Sequence, residues 1–379
     1  MTGTPDSRHE QSDRITISVD AMGGDAGPSV VVAGIAKSAK KNPNIGFILH
    51  GPEEELAPLV ARRRVLRDRV EIRDCRGVVT MEDKPSQVMR KGKGTSMWST
   101  LDSVRNGEAG GAVSCGNTGA LMALSMLRLR KMPGINRPAI AILWPSRNPQ
   151  GFNVMLDVGA DVRADAGDLL QFALMGVSYT RNSMDIPIPR VGLLNVGTEE
   201  HKGRAELKEA YTLISEKADG ASFEFVGFVE GSDIPGDIAD VIVTDGFTGN
   251  VAIKTGEGTA SLIRTALREA FEYSLLSRFA AILAYTSLKR LSKRIDPRRV
   301  NGGVFLGLNG TVVKSHGGAD ATSVSAAVKL AFRLAEQGFA QKLAARVASA
   351  GELTQDGAAG GDVDPSPSAQ ALSQANAPK

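Results

Sequence analysis

Apolar and polar positions follow two periodicities along most of the chain, one typical of strands and the other typical of helices. Short runs with a period of two, rich in β-branched residues, predict strands over residues 15–20, 45–50, 69–73, 111–114, 139–144, 153–157, 190–196, 223–229 and 240–244. Longer runs with the helical period predict helices over residues 28–41, 53–66, 97–106, 118–130, 165–181, 203–217, 248–273 and 319–347. This alternation predicts a three-layer α/β/α sandwich around a largely parallel sheet.

Two short apolar runs near the carboxyl terminus, residues 303–308 and 311–314, are separated by Asn309-Gly310. This dipeptide favours the tight turn of a hairpin, so we expect an antiparallel addition to the sheet or an arm. Residues 1–13 and 349–379 show no periodicity, and their composition predicts a disordered leader and a disordered tail. One domain is therefore expected over residues 14–348.

The stretch 259–299 differs from the other helical segments because it is apolar and strongly basic, which indicates a helical protrusion. Between residues 274 and 299 Asp296 is the only acid. Two interpretations stay open: a core or dimer-interface helix with a basic end, or an amphipathic segment lying on anionic lipid. The candidate membrane residues are the apolar Leu276, Phe279 and Leu283 and the basic Lys289 and Arg290.

Composition and charge narrow the classes of function. A net charge of +3 in 379 residues is too balanced to indicate a nucleic-acid partner. The chain has no apolar run of about 18 residues that would span a membrane, and its polar first residues do not form a signal peptide. Two cysteines and four scattered histidines provide neither a disulfide framework nor a zinc-ligand pattern. We therefore expect a cytoplasmic protein without a bound metal.

The first predicted strand leads into a glycine-rich turn that contains Asp20, Gly23, Gly24 and Asp25, and Pro28 then begins a helical run. Glycines permit close backbone approach, and proline fits the first turn of a helix. Free N–H groups at such a helix start attract anions such as phosphate. The alternative is that the glycines only make a tight connection between strand and helix.

Polar and glycine residues follow other predicted strands as well. The candidates are Ser114, Gly116, Asn117, Thr118, Asn195, Gly197, Lys202, Asp245, Gly246, Asn250, Lys314, Ser315 and His316. Because ligands of open α/β sheets bind beyond the carboxyl ends of strands, we expect these ends to converge. Hydroxyl, amide, backbone N–H and cationic groups suit phosphate and oxyanion binding. The spacing matches neither the dinucleotide fingerprint nor a P-loop.

Other chemistry-bearing residues permit more than one interpretation. No histidine lies near Cys115 in sequence, which favours a small buried side chain over a nucleophile. His316 is a general acid or base, or only a loop donor. Asp157 and Asp161 are possible metal ligands, although a single carboxylate more often caps a turn. Either Asn117 or Thr118 caps the following helix.

Six ordered motifs resemble the PlsX-type phosphate acyltransferases of bacterial phospholipid synthesis over about residues 15–345. The matching segments are 19–25, 116–120, 195–197 with 202–203, 229–231 with 233–235, 245–247 with 249–251, and 307–310 with 313–317. The chain departs from the family pattern at Cys115, where a small residue is usual, and at Thr198, where an acid is common. Gly92 and Gly94 interrupt the basic segment that is a candidate carrier-protein contact.

The resemblance implies a sandwich of the isocitrate/isopropylmalate-dehydrogenase type and transfer of a fatty acyl group from acyl-acyl-carrier-protein to inorganic phosphate. The acyl phosphate formed would supply phosphatidic acid synthesis through a membrane glycerol-phosphate acyltransferase. The resemblance further implies a homodimer, no cofactor, and carrier-protein contacts at Arg90, Lys91 and Lys93. Peripheral membrane association is the expectation if the stretch 259–299 lies on anionic lipid. Two other classes stay open, namely a nucleotide- or phosphate-using enzyme of the dehydrogenase type and a non-enzymatic adaptor.

Within this resemblance each candidate receives a role. The backbone of Gly23–Gly24 and the turn at Asn117 and Thr118 would hold phosphate, and Lys202 would offset its charge. Asn250, together with Lys314 or His316, would lie near the thioester carbonyl. Asp20, Asp25 and Asp245 would orient these donors, and Ser114, Gly116, Asn195, Gly197, Gly246 and Ser315 would complete the phosphate-binding set.

Overall fold

Eleven strands form one sheet in the computed structural model, which describes residues 14–295 and 302–346. They are β1 (Ile15–Asp20), β2 (Ile45–Gly51), β3 (Val70–Asp74), β4 (Gly111–Ser114), β5 (Ala139–Pro145), β6 (Phe152–Leu156), β7 (Arg190–Leu194), β8 (Glu224–Val229), β9 (Val241–Val243), β10 (Gly303–Leu306) and β11 (Thr311–Lys314). Their spatial order is β3-β2-β1-β4-β11-β10-β5-β6-β9-β7-β8. The largely parallel sheet predicted from the sequence is confirmed.

Helices cover both faces of this sheet. They are α1 (Pro28–Lys41), α2 (Glu53–Ala61), α3 (Pro85–Lys91), α4 (Ser96–Arg105), α5 (Thr118–Arg128), α6 (Ala166–Met184), α7 (Ala205–Lys217), α8 (Gly246–Glu272), α9 (Leu275–Leu283), α10 (Tyr285–Ile295) and α11 (Ala321–Glu336), and residues 339–346 form a further helix. Along β4, Val113 packs in the same apolar cluster as α1 and α11, whereas Ala112 packs with α4 and α5. The alternation along one strand therefore produces the three layers.

The register of the central strands brings together the carboxyl ends of two parallel groups. Strands β3, β2, β1, β4 and β11 are parallel to one another, and so are β6, β9, β7 and β8. Antiparallel β10 and β5 separate the groups. Lys314 at the end of β11 pairs with Gly303, and Ile142 in β5 pairs with Met155 near the end of β6. Because Val304 pairs with Ala141, both ends reach the middle of β5.

The predicted hairpin is present, but it is not an arm. Strands β10 and β11 lie in the centre of the sheet, where β11 pairs with β4 and β10 pairs with β5. Turn chemistry identifies a hairpin from neighbouring residues, whereas the strands that receive it are distant in sequence.

The structure differs most from the predicted elements at three places. The helix predicted over 53–66 ends at Ala61 and is followed by a single 3₁₀ turn, Arg64–Leu66. The helix predicted over 319–347 is interrupted after Glu336, and Gly338 adopts a positive φ of 60°. Helix α3 was not predicted, because its seven residues are too few to show a clear period.

The apolar and basic stretch consists of the end of α8 followed by α9 and α10, where Ser274 caps the start of α9. Side chains of Leu276, Phe279 and Leu283 are 78%, 59% and 72% exposed, and α9 buries none of its residues. A core helix is therefore the wrong interpretation within this chain. Residues 296–299 lie outside the described residues, and none of the described helices is long and apolar enough to cross a membrane.

Candidate active site

The glycine-rich turn after β1 packs directly against the turn after β4. The buried Asp20 carboxylate accepts hydrogen bonds from the hydroxyl groups of Ser96 and Ser114, each at 2.7 Å. A Cβ atom at Gly23 would lie 2.6 Å from the backbone nitrogen of Gly116. Burial raises the pKa of Asp20, while the two serine hydrogen bonds act in the opposite direction. Asp20 thus joins two predicted strand ends, and glycine is required where they meet.

The turn after β11 completes this wall, which we call the glycine wall (residues 20–25, 114–118 and 314–318). The backbone N–H of Asp25 donates to the carbonyl of Gly317 at 2.9 Å, and that of Ser315 donates to Ser114 at the same distance. The Lys314 ammonium donates to the carbonyl of Cys115 at 3.3 Å. Three strand ends that are distant in sequence therefore converge, as the sequence predicted.

Lys314 is the half-buried cation of the glycine wall. Burial lowers its pKa to about 8, against the attraction of neighbouring acidic groups that include Asp25 and Asp20. A lysine with this pKa is mostly protonated at pH 7 and loses its charge within the range in which enzymes are assayed. The charge at this position is consequently sensitive to pH.

Helix α8 forms the opposite wall, and two of its glycines bring it against the turn after β6. A methyl group at Gly246 would overlap the carbonyl oxygen of Asp161, and one at Gly249 would overlap that of Asp157. Asp245 caps the helix by accepting from the Thr248 N–H at 2.8 Å. The role of Gly246 in the structure is thus close packing, and the same packing places Asn250 beside the turn.

The carboxylate of Asp157 stabilises the turn after β6, against which α8 packs. Its oxygens accept the backbone N–H groups of Ile140, Ala160 and Asp161 at 2.9–3.1 Å. Burial raises the pKa of Asp157, although these hydrogen bonds lower it. Turn formation accounts for this carboxylate, in agreement with the commoner of the two interpretations.

A cavity of about 530 Å³ lies between the two walls. Its apolar lining includes Ile142, Trp144, Val158 and Ile253. Its polar side chains are Thr118, Asn250, Lys254, Glu257, Arg264, Lys314, Ser315, His316 and Ser323. The volume is that of a typical small-molecule site. Predicted residues from β4, β11 and α8 are thus brought together, with a charged part beside an apolar part.

Lys254 is a cavity residue that the sequence analysis missed. Its ammonium is 2.9 Å from the Glu257 carboxylate and 3.5 Å from Nε2 of His316. The sequence could have identified Lys254, because it follows Asn250 by four residues and therefore lies on the same side of α8. The cavity therefore contains two lysines, one from each wall.

The loop after β7 holds three of the predicted residues away from this lining. The ammonium of Lys202 pairs with Glu199 at 2.7 Å. The amide of Asn195 donates to the carbonyls of Gly197 and Lys202 at 3.1 and 3.2 Å. The described residues that line the cavity do not include Asn195, Gly197 or Lys202.

Arg204, which the sequence analysis did not single out, links the β7 loop to α8. Its guanidinium is hydrogen-bonded and ion-paired to the buried carboxylate of Asp245, the capping residue of α8. Hydrogen bonding from Thr248 and Arg204 holds the pKa of Asp245 below its ordinary value, although burial acts in the opposite direction. Arg204 is therefore a positioning residue for the helix that carries Asn250 and Lys254.

Asn117 is the residue that caps α5, which confirms one of the two predicted caps. Its side-chain oxygen accepts from the Ala120 N–H at 3.1 Å, and its amide donates to the carbonyls of Met81 and Asp83 at 2.9 and 3.0 Å. These bonds fix the loop that precedes α3. The exposed Arg90, Lys91 and Lys93 follow on α3 and just after it, one loop away from the cavity.

Cys115 occupies a buried position between the turns of the glycine wall, and only 4% of its surface is exposed. Burial raises its pKa to about 11, so the side chain is a thiol at neutral pH. Because the thiolate is the nucleophilic form, Cys115 is unsuited to covalent catalysis. The interpretation as a small buried side chain agrees with this environment.

Comparisons with known proteins follow the same motifs. A family model described as "Fatty acid synthesis protein" matches residues 15–342. A phosphate acyltransferase from Ruegeria sp. (strain TM1040) is 83% identical, with 96% of this chain and 97% of the relative covered. A phosphate acyltransferase from Paracoccus denitrificans is 73% identical, with 89% of this chain and 91% of the relative covered.

Solved structures resemble the fold at much lower sequence identity. A phosphotransacetylase from Streptococcus pyogenes has a TM-score of 0.56 at 19% identity, covering 89% of this chain and 96% of that one. The EutD phosphotransacetylase from Staphylococcus aureus has a TM-score of 0.55 at 17% identity, covering 88% and 96%. These likenesses show the fold alone. The matched family and the highly identical relatives show that this chain belongs to the phosphate acyltransferase family and is an acyltransferase enzyme.

Proposed function

We propose that this enzyme transfers a fatty acyl group from acyl-acyl-carrier-protein to inorganic phosphate and releases acyl phosphate. The observation that carries the proposal is the cavity in which Lys314 and His316 face Asn250 and Lys254 beside an apolar lining. Cations and polar donors suit phosphate and a developing oxyanion, and apolar side chains suit an acyl chain.

The proposed reaction is a direct displacement without a covalent enzyme intermediate. A phosphate oxygen attacks the thioester carbonyl carbon, the tetrahedral oxyanion collapses, and the carbon–sulfur bond breaks. The sulfur leaves as a thiolate, which then takes up a proton. Phosphate is substantially dianionic near neutral pH, so the enzyme needs to position it more than to deprotonate it. Orientation can supply roughly 7–11 kcal/mol of the barrier.

The contacts suggest how the roles divide. Lys314 and Lys254 approach the cavity from opposite walls and would share the phosphate charge. The amide of Asn250 would donate to the oxyanion, a contact that contributes about 3–4 kcal/mol in comparable sites. His316, close to Lys254, would donate to phosphate or to the leaving sulfur. Asp20 would orient the glycine wall through Ser96 and Ser114.

Incubation of acyl-acyl-carrier-protein with labelled inorganic phosphate tests the proposal most directly. Hydroxylamine converts acyl phosphate to the acyl hydroxamate, so the expected result is labelled phosphate in the product before trapping and hydroxamate after it. One carrier-protein thiol should appear for each acyl phosphate formed. Thiol release without acyl phosphate would identify a hydrolase and contradict the proposal.

Lys202 and Lys254 are the two candidates for offsetting the charge of phosphate, and their alanine variants distinguish between them. If Lys202 offsets the phosphate charge, as the resemblance implies, Lys202→Ala lowers acyl phosphate formation at least about tenfold, whereas the cavity contacts favour Lys254 for this role. Lys254→Ala should raise KM for phosphate about tenfold, because a hydrogen bond to a charged group contributes roughly 1.5–3 kcal/mol. Initial rates over a phosphate series measure both variants side by side. A larger effect of Lys202→Ala would return the role to the β7 loop.

The basic residues on and after α3 are proposed to contact the acidic carrier protein. Reversing the charge of Arg90, Lys91 and Lys93 to glutamate should raise KM for the thioester at least about tenfold and leave KM for phosphate unchanged. The matched control reverses three other exposed arginines, namely Arg62, Arg63 and Arg64, for the same change in net charge. Equal effects of the two triple variants would exclude a local docking site.

Helix α9 and the first residues of α10, which are largely exposed over 285–290, are proposed to contact anionic membrane. Changing Leu276, Phe279 and Leu283 to serine should weaken binding to anionic vesicles at least about tenfold, since each buried side chain contributes about 1.5–3 kcal/mol. Vesicle flotation measures the binding. Melting temperature should stay unchanged because all three side chains are exposed.

Ile188→Ser, which removes another largely exposed apolar side chain, is the control for the vesicle experiment. Unaltered vesicle binding of the triple variant would leave a homodimer interface as the use of these helices. Membrane binding would place acyl phosphate near a membrane glycerol-phosphate acyltransferase. A homodimer interface would instead bring two active sites together.

A further inference from the structure

The apolar part of the cavity is a groove between β5 and α8. Ile142 and Trp144 lie two residues apart on β5 and therefore share one face of the sheet. They pack in one apolar cluster with Val158 and Ile253. Ile142, Trp144 and Val158 keep part of their surface exposed, and all four residues line the cavity. The groove is thus an apolar surface directly beside the charged end of the site.

Trp144 forms the side wall of this groove because its indole is pressed onto α8. A Cβ atom at Gly256 would lie 2.6 Å from two atoms of the six-membered ring. Glycine at this position therefore allows the ring to contact the helix backbone. The chain contains no other tryptophan than Trp144 and Trp98, and the ring of Trp98 is covered instead by the guanidinium of Arg128 at 4.6 Å.

The register of the sheet gives the distance from the charged end to this wall. Lys314 pairs with Gly303, and Gly303 lies level with Ile142 because Val304 pairs with Ala141. Trp144 is two residues farther along β5, which corresponds to about 7 Å. An acyl chain whose carbonyl group lies beside the lysines would reach the indole only after several methylene groups.

Beyond the indole the cavity continues along α8 to Ala260 and Arg264. The exposed apolar side chains of Leu262, Ile263 and Leu267 begin on the same helix at this point. The groove therefore leads from the charged end of the site toward the apolar surface of α8 and α9.

We propose that this groove holds the first half of the acyl chain and that Trp144 determines the preference for long chains. The inference rests on the proposed function, which supplies a fatty acyl thioester as the donor. A palmitoyl chain extends past the indole and gains its contact area, whereas a butyryl chain ends before it. Trp144 is thus a specificity-determining residue that acts on the chain and not on the reacting atoms.

Fluorescence tests the location of the chain without requiring catalysis. The Trp98→Phe variant leaves Trp144 as the only tryptophan, and the probe is stearic acid brominated at its sixth and seventh carbons. Bromine quenches an indole in contact with it, so the expected result is loss of most emission with this probe and little loss with plain stearic acid. The Trp144→Phe variant, in which Trp98 alone emits, should show no bromine-specific quenching. Equal quenching in the two variants, or none in the first, would overturn the inference.

Kinetics with two chain lengths then test the preference. Trp144→Ala should lower the ratio of kcat/KM for palmitoyl- over butyryl-carrier-protein about tenfold, because lost apolar contacts in a pocket alter specificity on this scale. An unchanged ratio with normal acyl phosphate formation would overturn the inference alone. Absence of acyl phosphate from either thioester with the unaltered enzyme would instead contradict the proposed function, while the bromine quenching would still report on the groove.

Discussion

Replacing Lys314 by methionine should lower kcat/KM for phosphate about a hundredfold, because the ammonium is the only charge that the glycine wall presents to the cavity among the described residues. Methionine keeps most of the side-chain volume and removes the charge. Phosphate-dependent formation of acyl hydroxamate measures the effect. Arginine at the same position keeps a positive charge and should restore part of the activity.

The pH dependence of kcat/KM for phosphate distinguishes a loss of the Lys314 charge from a structural defect. Burial lowers the pKa of Lys314 to about 8, so the ammonium is charged below that pH and neutral above it. The value of kcat/KM for phosphate should therefore fall above about pH 8, approaching about tenfold per pH unit. In the Lys314→Arg variant the falling part of the profile should move to higher pH, since guanidinium keeps its proton. A fall at the same pH in both enzymes would assign the titration to another group.

Stability should separate the loss of charge from unfolding. The pKa of Lys314 in the folded state is below its ordinary value of 10.5, so between pH 8 and that value the unfolded chain binds more protons than the folded protein. Stability consequently rises with pH through this window, and below it the charged lysine favours unfolding. Lys314→Met removes this unfavourable buried charge, so its free energy of unfolding at pH 7 should rise while its activity is lost.

The strands were predictable because their signal is local. Period-two apolar runs bounded by glycine and polar residues placed β1 and β4 with the ends that the structure shows, Ile15–Asp20 and Gly111–Ser114. The position of the hairpin was not predictable. The pairing of β11 with β4 joins residues two hundred positions apart, and a hairpin at an edge would have the same local sequence.

The site was predictable on one wall and only partly on the other. Glycines and hydroxyl groups after β1, β4 and β11 converge because parallel strands bring their carboxyl ends to one edge, which is a general rule. Side-chain partners obey no comparable rule. Glu199 pairs with Lys202, and Arg204 reaches Asp245 across forty-one positions, so sequence could not distinguish the loop lysine from a cavity lysine. Trp144 was missed because an isolated aromatic residue in a strand resembles any core residue.

Gly249→Ala should destabilise the protein by about 2–3 kcal/mol and lower acyl transfer about a hundredfold. A methyl group here would overlap the carbonyl oxygen of Asp157, a backbone atom that its own turn holds in place. Overpacking of this kind costs about 1–3 kcal/mol or more, which exceeds the gain of up to about 1 kcal/mol that alanine brings to a helix interior. The helix must then move away from the turn, and Asn250 and Lys254 move with it. A displacement of about 1 Å is enough to cost a hundredfold in rate.

Gly258→Ala on the same helix is the matched control. A Cβ atom at Gly258 would meet nothing within 4 Å, so only the helix propensity changes, and stability should rise by about 0.5–1 kcal/mol with unaltered activity. Denaturant unfolding and kcat/KM of the two variants, measured together, decide between packing and propensity. If both alanines stabilise the protein and both keep full activity, then α8 is not held by the turn after β6, and the wall that carries Asn250 and Lys254 would have to be positioned by Arg204 and Asp245 alone.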